Sequence, residues 1–186
     1  MGGSGAYYPL NPRVDDILDD YSVISGNIRF FRMGNVKGGG TSCYCKENSF
    51  LHALVNSLIL SEEDTVILDM GAGIEQLTRG TAQGVDILVI VTEASAVSMQ
   101  TVRVIQKLAQ ELGIPQVAVV GNKVRIEKEK EFLRSQLSEK ELIGFIPFSE
   151  ELLEMSLNPE GSSFPKGAPG STLESIYKNI MERGDS

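Results

Sequence analysis

Short apolar runs, each nearly continuous, mark the predicted strands of this chain. Three of them are Thr65–Leu68, Ile87–Val91 and Val117–Val120, and two further candidate strands are Asn27–Met33 and Leu142–Ile146. Strands that are apolar on both faces are typical of a parallel sheet covered by helices on each side. The pattern therefore predicts a buried parallel sheet at the centre of the fold.

Apolar residues at three- and four-residue spacing predict helices around these strands. The predicted helices are Glu47–Leu60, Val97–Leu112, Glu127–Leu137 and Thr172–Arg183. Because strands and helices alternate, we expect an α/β protein with a mainly parallel, doubly wound sheet. In this prediction residues 1–186 form a single domain, with loops at 1–13 and 158–170.

Net charge and hydropathy exclude some classes of binding partner. The chain has 186 residues and a formal net charge of -8, so it lacks the basic surface that nucleic-acid binding needs. No apolar run approaches the roughly 18 residues of a membrane span, and residues 1–8 do not resemble a secretory signal. We therefore expect a cytoplasmic protein that binds neither nucleic acid nor a membrane.

Asp69 follows directly after the apolar run Thr65–Leu68 and is a candidate magnesium-side carboxylate. A hydrophobic strand that ends in Asp is the Walker B pattern, in which the carboxylate meets Mg²⁺ directly or through water. Gly71 and Gly73 would let the backbone approach a terminal phosphate. The alternative is an Asp that only caps the next turn, and such strand-end aspartates are common.

Asn122 and Lys123 follow the strand Val117–Val120, where many P-loop nucleotidases recognise a base. The Asn amide can donate to a ring edge and accept from it. Pro147 and Phe148 follow the last predicted strand, in a loop that would wall the base. A turn Asn beside an exposed Lys is the alternative interpretation of the pair.

A standard phosphate loop is not visible in the sequence. Such a loop needs a glycine turn and a Lys with Ser or Thr at the start of a helix, but no Gly-Lys dipeptide occurs here. The nearest approach is Lys37–Ser42, which follows a predicted strand and lacks the second Lys. We therefore expect weak, roughly millimolar nucleotide binding, and no useful rate of ATP hydrolysis by this chain.

Cys43 and Cys45 are the only two cysteines, and they stand one residue apart. Two thiolates at this spacing would hold one soft metal ion, such as Zn²⁺ or Ni²⁺, and a tetrahedral site needs two more ligands. His52, the only histidine, would supply one of them, whereas a second chain across a two-fold axis would supply both. A pair of inert loop thiols is the alternative.

These motifs together resemble a known family. The segments GGGTSCYCKENSFLHAL, TVILDMGAGIEQLTRGTAQGVDILVIVTEASAVSMQT, VVGNKV and GFIPFSEEL occur in the family's order over roughly residues 9–155. With them the chain is similar to the carbon-monoxide dehydrogenase maturation ATPases of the nickel-insertion (CooC-like) type. These ATPases belong to the MinD/ParA class of deviant P-loop proteins.

The resemblance implies a MinD-like fold that binds and hydrolyses ATP with Mg²⁺. It also implies a dimer that helps to deliver nickel to carbon-monoxide dehydrogenase as its client. On this basis Cys43 and Cys45 would bind nickel or zinc across a homodimer interface. Asp69 matches the Mg²⁺-side aspartate, Gly71 and Gly73 match the switch loop after it, and Asn122 matches the adenine-reading residue.

The chain departs from the family pattern at its start. The family opens with a strand and a KGGVGKT-like loop, and neither is found here, so we expect a partial MinD-like domain without the first strand and phosphate loop. A gene fragment, a misassigned start or a truncated relative would each explain this. A non-catalytic metal-binding or scaffold dimer that keeps the same fold is the rival function.

Overall fold

The computed structural model describes residues 20–32, 54–55, 64–70, 77, 84–158 and 168–184. The chain divides into two compact units, Met1–Thr81 and Ala82–Ser186. The second unit contains the parallel sheet. Each unit is described by itself.

The first unit contains an antiparallel hairpin. Strand β1 (Val23–Ser25) pairs with β2 (Ile28–Phe30) through a two-residue turn at Gly26 and Asn27. Gly26 has a φ of 58°, which glycine adopts without steric cost at the first position of such a turn. The strand predicted at Asn27–Met33 is thus confirmed over Ile28–Phe30 and ends before residues 31–32, whereas its partner β1 was not predicted.

The strand predicted at Thr65–Leu68 is wrong for this structure. Residues 64–70 have no regular secondary structure, and the Ile67 side chain is 86% exposed. A short apolar run is compatible with several states, and it forms a strand only where a neighbouring strand supplies hydrogen bonds. Of the predicted helix Glu47–Leu60, the structure describes Leu54 and Val55, which are helical.

The second unit is a three-stranded parallel sheet. Its strands are β3 (Ile87–Thr92), β4 (Gln116–Val124) and β5 (Leu142–Pro147), in the order β3-β4-β5. All three strands were predicted, and the α/β class with a parallel sheet is confirmed. The strand β4 extends four residues past the predicted Val120 and includes the candidate base-reading pair.

Four helices accompany this sheet in the described part of the chain. They are α1 (Ala96–Glu111), α2 (Glu127–Gln136), α3 (Glu150–Leu157) and α4 (Ala168–Gly184). The bounds of α1 and α2 match the predicted helices to within one residue, and α3 was not predicted. The helix α4 begins four residues before the predicted Thr172, so the end of the predicted loop 158–170 is helical. The Ser95 hydroxyl accepts a hydrogen bond from the Ser98 N–H at 3.1 Å, which caps the start of α1.

Helices pack on both faces of the sheet. Ile176 of α4 forms a buried cluster with Ala118, Val120 and Ile143. Gly121 follows Val120 in β4 and therefore faces the opposite side of the sheet. There an added Cβ would lie 2.6 Å from Leu133 Cδ1 of α2. Leu133 is fully buried. The absence of a side chain at Gly121 therefore lets α2 approach the sheet closely, just before the chain reaches the candidate site.

Among the helices that the structure describes, none is long and apolar enough to cross a membrane.

Candidate functional site

The parallel strands end side by side and bring three short segments together. We call these segments the carboxyl-end edge: Thr92 and Glu93, Gly121–Arg125, and Pro147–Ser149. In open parallel sheets, ligands bind outside the carboxyl ends of the strands. The edge is therefore the place where this fold would hold a ligand.

A bulge in β4 shapes the middle of the edge. Gly121 pairs with Phe145 and Val124 pairs with Pro147, so Asn122 and Lys123 stand opposite a single residue of β5. Bulges of this kind are frequent beside active sites, because the extra residue redirects a side chain and interrupts the pairing. Here the interruption falls on the two residues that the sequence assigns to a base site.

Lys123 has the only positive φ of any non-glycine residue among those described, at 54°. An L-residue in this left-handed region costs roughly 1–2 kcal/mol. Its ammonium lies 2.9 Å from a Glu93 carboxylate oxygen, across the ends of β3 and β4. The pair is exposed, so its contribution to stability is small, but it ties the bulge to the end of the neighbouring strand.

Asn122 lies inside the bulge and is a half-buried residue. Its Oδ1 accepts a hydrogen bond from the Lys123 backbone N–H at 3.0 Å, which fixes the direction of the amide. A carbonyl oxygen has a second lone pair, and the amide nitrogen carries two hydrogens. The oriented amide can thus still both accept from and donate to a ligand.

The third segment of the edge is closely tied to the second. The Phe148 backbone N–H donates to the Val124 carbonyl at 3.0 Å. Ser149 then caps α3, because its hydroxyl accepts from the Leu152 N–H at 3.3 Å. The Arg125 guanidinium carbon lies over the Phe148 ring, 4.2 Å from its centroid. These contacts hold the Phe148 ring against Arg125, which directly follows the strand that carries the candidate base-reading pair.

The start of α2 is fixed by a carboxylate. The Glu129 side chain accepts from the Arg125 N–H at 2.6 Å and from the Ile126 N–H at 3.4 Å. This is the reciprocal half of a capping box, in which an acidic residue in the first turn satisfies N–H groups that the helix cannot. The chain that leaves the bulge is therefore hydrogen-bonded to the first turn of α2.

Two carboxyl groups of the second unit have displaced pKa values. Hydrogen bonds from the backbone N–H and hydroxyl of Ser138, and then from Gln106, lower the pKa of Glu141 at the amino end of β5. Hydrogen bonds from Lys130 and Arg134 lower the pKa of Glu127 on the surface of α2. Neither shift identifies a proton-transfer group, since each has a structural ion-pair or hydrogen-bond cause.

The predicted site residues divide into three groups. Asn122, Lys123, Pro147 and Phe148 come together at the carboxyl-end edge. Asp69 is exposed in the irregular segment 64–70 of the first unit. The remaining candidates, Gly71, Gly73, Cys43 and Cys45, lie outside the described residues. Across the residues that are described, no group of three or more His, Cys, Asp or Glu side chains could hold a metal ion.

Sequence reasoning missed Glu93, Arg125 and the bulge itself. Glu93 is the first residue after β3, so the rule that drew attention to Asn122 would also have found it. Arg125 stands three residues after Asn122, beyond the predicted end of the strand. The left-handed Lys123 left no trace in the sequence, because that conformation most often falls on Gly, Asn or Asp.

The polar groups of the edge fit a nucleotide base. Base sites commonly combine an amide, which both donates to and accepts from the base edge, with an aromatic ring on which the base stacks. The one lysine of the edge is already paired with Glu93, and its one arginine, Arg125, lies against the Phe148 ring. The segment Lys37–Ser42, which would be needed for phosphate contacts, lies outside the described residues.

Curated relatives of the chain include proteins named as ATP-binding and a carbon monoxide dehydrogenase accessory protein. An uncharacterized ATP-binding protein of Methanocaldococcus jannaschii is 40% identical over 184 residues, which cover 97% of this chain and 71% of that protein. The carbon monoxide dehydrogenase accessory protein CooC of Rhodospirillum rubrum is 36% identical over 149 residues, which cover 80% of this chain and 57% of that protein. No family model matches the chain.

Solved structures similar to the chain include the MinD cell division protein of Aquifex aeolicus. The match has a TM-score of 0.43 and 18% identity, and it covers 55% of this chain and 46% of that protein. The MinC:MinD complex of the same organism matches with the same TM-score and identity.

Proposed function

The chain belongs to the CooC-like family of MinD/ParA-class ATPases, and from that premise we propose that it binds an adenosine nucleotide at the carboxyl-end edge and serves the maturation of a carbon-monoxide dehydrogenase. The observation that carries the nucleotide part is the bulge at Asn122 and Lys123. A non-glycine residue in the left-handed region persists only where the surroundings enforce it, and such residues cluster at functional sites. The bulge therefore supports a binding role for the amide that it orients.

Adenine complements the hydrogen-bond donor and acceptor that remain available on the Asn122 amide. An Asn amide pairs with adenine in two hydrogen bonds, accepting from the N6 amino group and donating to N7. The free lone pair of Oδ1 and the amide hydrogens of Asn122 supply one bond each. Guanine presents acceptors at both of these positions, so the same amide would form only one of the two bonds with it. The pairing favours adenosine nucleotides.

The magnesium role is proposed from the sequence alone. By the family resemblance, Asp69 would hold Mg²⁺ directly or through water, and Gly71 and Gly73 would belong to the switch loop after it. Mg²⁺ would neutralise charge on the phosphate oxygens. Since no Gly-Lys dipeptide is present, the 186-residue chain by itself should bind weakly, with a Kd of roughly millimolar order, and should not hydrolyse ATP at a useful rate.

Calorimetric titration with Mg-ADP tests the base site. We expect the native chain to bind Mg-ADP more tightly than Mg-GDP, and Asn122→Ala to remove that preference. Asn27→Ala, which makes the same substitution in the β1–β2 turn, serves as the matched control and should bind as the native chain does. Equal affinity for the two nucleotides in the native chain, or an unchanged preference in Asn122→Ala, would contradict the assignment.

The metal part of the proposal rests on Cys43 and Cys45. Two thiolates per chain are half of a closed tetrahedral set, and a two-fold dimer supplies the other half. We propose that one Ni²⁺ or Zn²⁺ ion joins two chains in this way, with nickel as the cargo destined for the dehydrogenase. Lys37 and Lys46 flank the pair and would favour the thiolate form.

Sedimentation with and without Ni²⁺ or Zn²⁺ tests the metal-linked dimer. We expect one metal per two chains, a dimer only when metal is present, and loss of both at acidic pH, where the thiolates take up protons. The double variant Cys43→Ser with Cys45→Ser should remain a metal-free monomer. A metal-loaded monomer of the native chain, or a metal-bearing dimer of the double variant, would refute this part.

The absence of a Gly-Lys dipeptide favours one alternative, a non-catalytic scaffold dimer that binds metal alone. The proposed function uses the carboxyl-end edge to bind a nucleotide, whereas the scaffold alternative does not. In the scaffold alternative, Mg-ADP at several millimolar leaves the metal-dependent dimer unchanged and shows no binding. In the proposed function, Mg-ADP binds and Asn122→Ala weakens that binding.

A further inference from the structure

Arg125 and Phe148 form a stacked pair at the carboxyl-end edge. The guanidinium carbon lies 4.2 Å from the ring centroid. Both partners are anchored through their backbones: the Arg125 N–H donates to Glu129 at 2.6 Å, and the Phe148 N–H donates to the Val124 carbonyl at 3.0 Å. The pair therefore has a fixed place, and Arg125 follows Lys123 of the bulge by two residues.

One face of the guanidinium is covered by the ring, and the Arg125 residue as a whole is exposed. In the described part of the chain, its guanidinium makes no ion pair. A guanidinium is planar, delocalised and weakly hydrated, so a second planar group can stack on its open face. Nucleobases stack on Arg guanidinium planes as they do on aromatic side chains.

We propose that Arg125, backed by Phe148, is the platform on which the base lies while Asn122 reads its edge. This inference rests on the proposed nucleotide site. The arrangement is a three-layer stack of ring, guanidinium and base. Stacking is tolerant of base identity, because every base has a π-face, whereas the two-bond pairing with Asn122 favours adenine. The platform supplies affinity, and the amide supplies the choice of base.

A second arginine provides the comparison. The Arg134 guanidinium carbon lies 5.2 Å from the centroid of the Phe145 ring, and the guanidinium also forms an ion pair with Glu127 at 2.9 Å. Arg134 is in α2, away from the residues that follow the strands. The two arginines thus share the contact with a phenylalanine, but only Arg125 belongs to the carboxyl-end edge.

The test compares Arg125→Lys with Arg134→Lys in ligand-observed NMR titrations with Mg-ADP and Mg-GDP. Lysine keeps the charge and loses the plane. We expect Arg125→Lys to raise the Kd of both nucleotides by roughly three- to tenfold, the loss of one stacked guanidinium contact. Arg134→Lys should bind both as the native chain does. Thermal unfolding of each variant shows that the fold is retained.

The outcomes separate the two proposals. Unchanged ADP affinity in Arg125→Lys, with weakened binding in Asn122→Ala, would overturn the platform and leave the nucleotide site standing. Equal weakening in Arg125→Lys and Arg134→Lys would also overturn it, because the effect would then not belong to the edge. No ADP binding by the native chain at several millimolar would overturn the nucleotide site and the platform together.

Discussion

The left-handed backbone of Lys123 and the ion pair of its side chain make separate contributions to the stability of the fold. The φ of 54° costs conformational energy, whereas the side chain reaches 2.9 Å from Glu93. A glycine at this position would remove the conformational cost, and it would also remove the ion pair with Glu93. Since the exposed ion pair is worth little, the backbone term should dominate.

At position 123, glycine should therefore be a more stable replacement than alanine, which is the reverse of the order expected inside a helix. We expect Lys123→Gly to be more stable than Lys123→Ala by roughly 1 kcal/mol, because both lose the ion pair and only glycine adopts the left-handed region freely. Urea unfolding measures the difference. Lys107, which pairs with Glu111 inside α1, is the matched control, and there Ala should exceed Gly by about 1 kcal/mol. Alanine above glycine at both positions would contradict the left-handed assignment.

Glu141 links residues that lie far apart in sequence. Its carboxylate accepts from Ser138 at 2.8 and 2.7 Å and from Gln106 of α1 at 2.7 Å. These bonds lower the pKa of Glu141 in the folded state, below its ordinary value of 4.5. A carboxyl group of this kind contributes stability at pH values above its unfolded pKa and loses it as the pH falls through the folded pKa.

The pH dependence of unfolding tests this contribution. We expect Glu141→Gln to be less stable than the native chain at pH 7, and the difference to shrink as the pH falls below about 4.5 towards the folded pKa. Urea titrations at several pH values measure it. Glu139→Gln removes the same charge two residues away without touching these hydrogen bonds. A difference between native chain and Glu141→Gln that stays constant from pH 7 to pH 3 would argue against the assignment.

At the scale of elements, long periodic segments were predictable and local irregularities were not. The helices α1, α2 and α4 and the strands β3, β4 and β5 follow from apolar spacing, because tertiary burial and local pattern agree there. The helix α3 is short and has no buried residue, so its apolar stripe is weak, and the Ser149 cap is its main signal. The run Thr65–Leu68 was misread, because its pattern does not specify a pairing partner.

The candidate site shows the same division. Asn122, Lys123, Pro147 and Phe148 could be predicted to lie together, because parallel strands end at one edge. The bulge that presents Asn122 depends on a register shift between β4 and β5, and register is a tertiary property. Arg125 was missed for the same reason, since the predicted strand stopped before it.

The contact between α4 and the sheet is the element-scale interaction best suited to a stability test. Ile176 is 6% exposed in the cluster with Ala118, Val120 and Ile143. We expect Ile176→Ala to cost about 2–5 kcal/mol, from lost burial and the cavity left behind. Its neighbour Tyr177 is 55% exposed, so Tyr177→Ala should stay within about 0.5 kcal/mol of the native chain. Similar losses in both variants, measured by denaturant unfolding, would show that α4 does not dock through this face.

At the scale of the whole molecule, the proposed functions rest on different parts of the chain. The proposed base-reading residues are in the second unit, whereas Asp69 and the cysteine pair are in the first. The net charge of -8 opposes any association of two copies, and a shared metal ion would have to offset that repulsion. Nucleotide binding and metal-linked assembly can therefore be tested one at a time.

The central claim is that the carboxyl ends of the strands form the nucleotide site, and backbone amide NMR tests it most directly. Addition of Mg-ADP to the isotope-labelled chain should shift the amide resonances of Glu93, Lys123 and Ser149. The amides of Ile87 and Gln116, at the opposite ends of β3 and β4, should stay in place. Shifts confined to those amino ends, or resonances at the carboxyl-end edge that do not move at saturating nucleotide, would contradict the account.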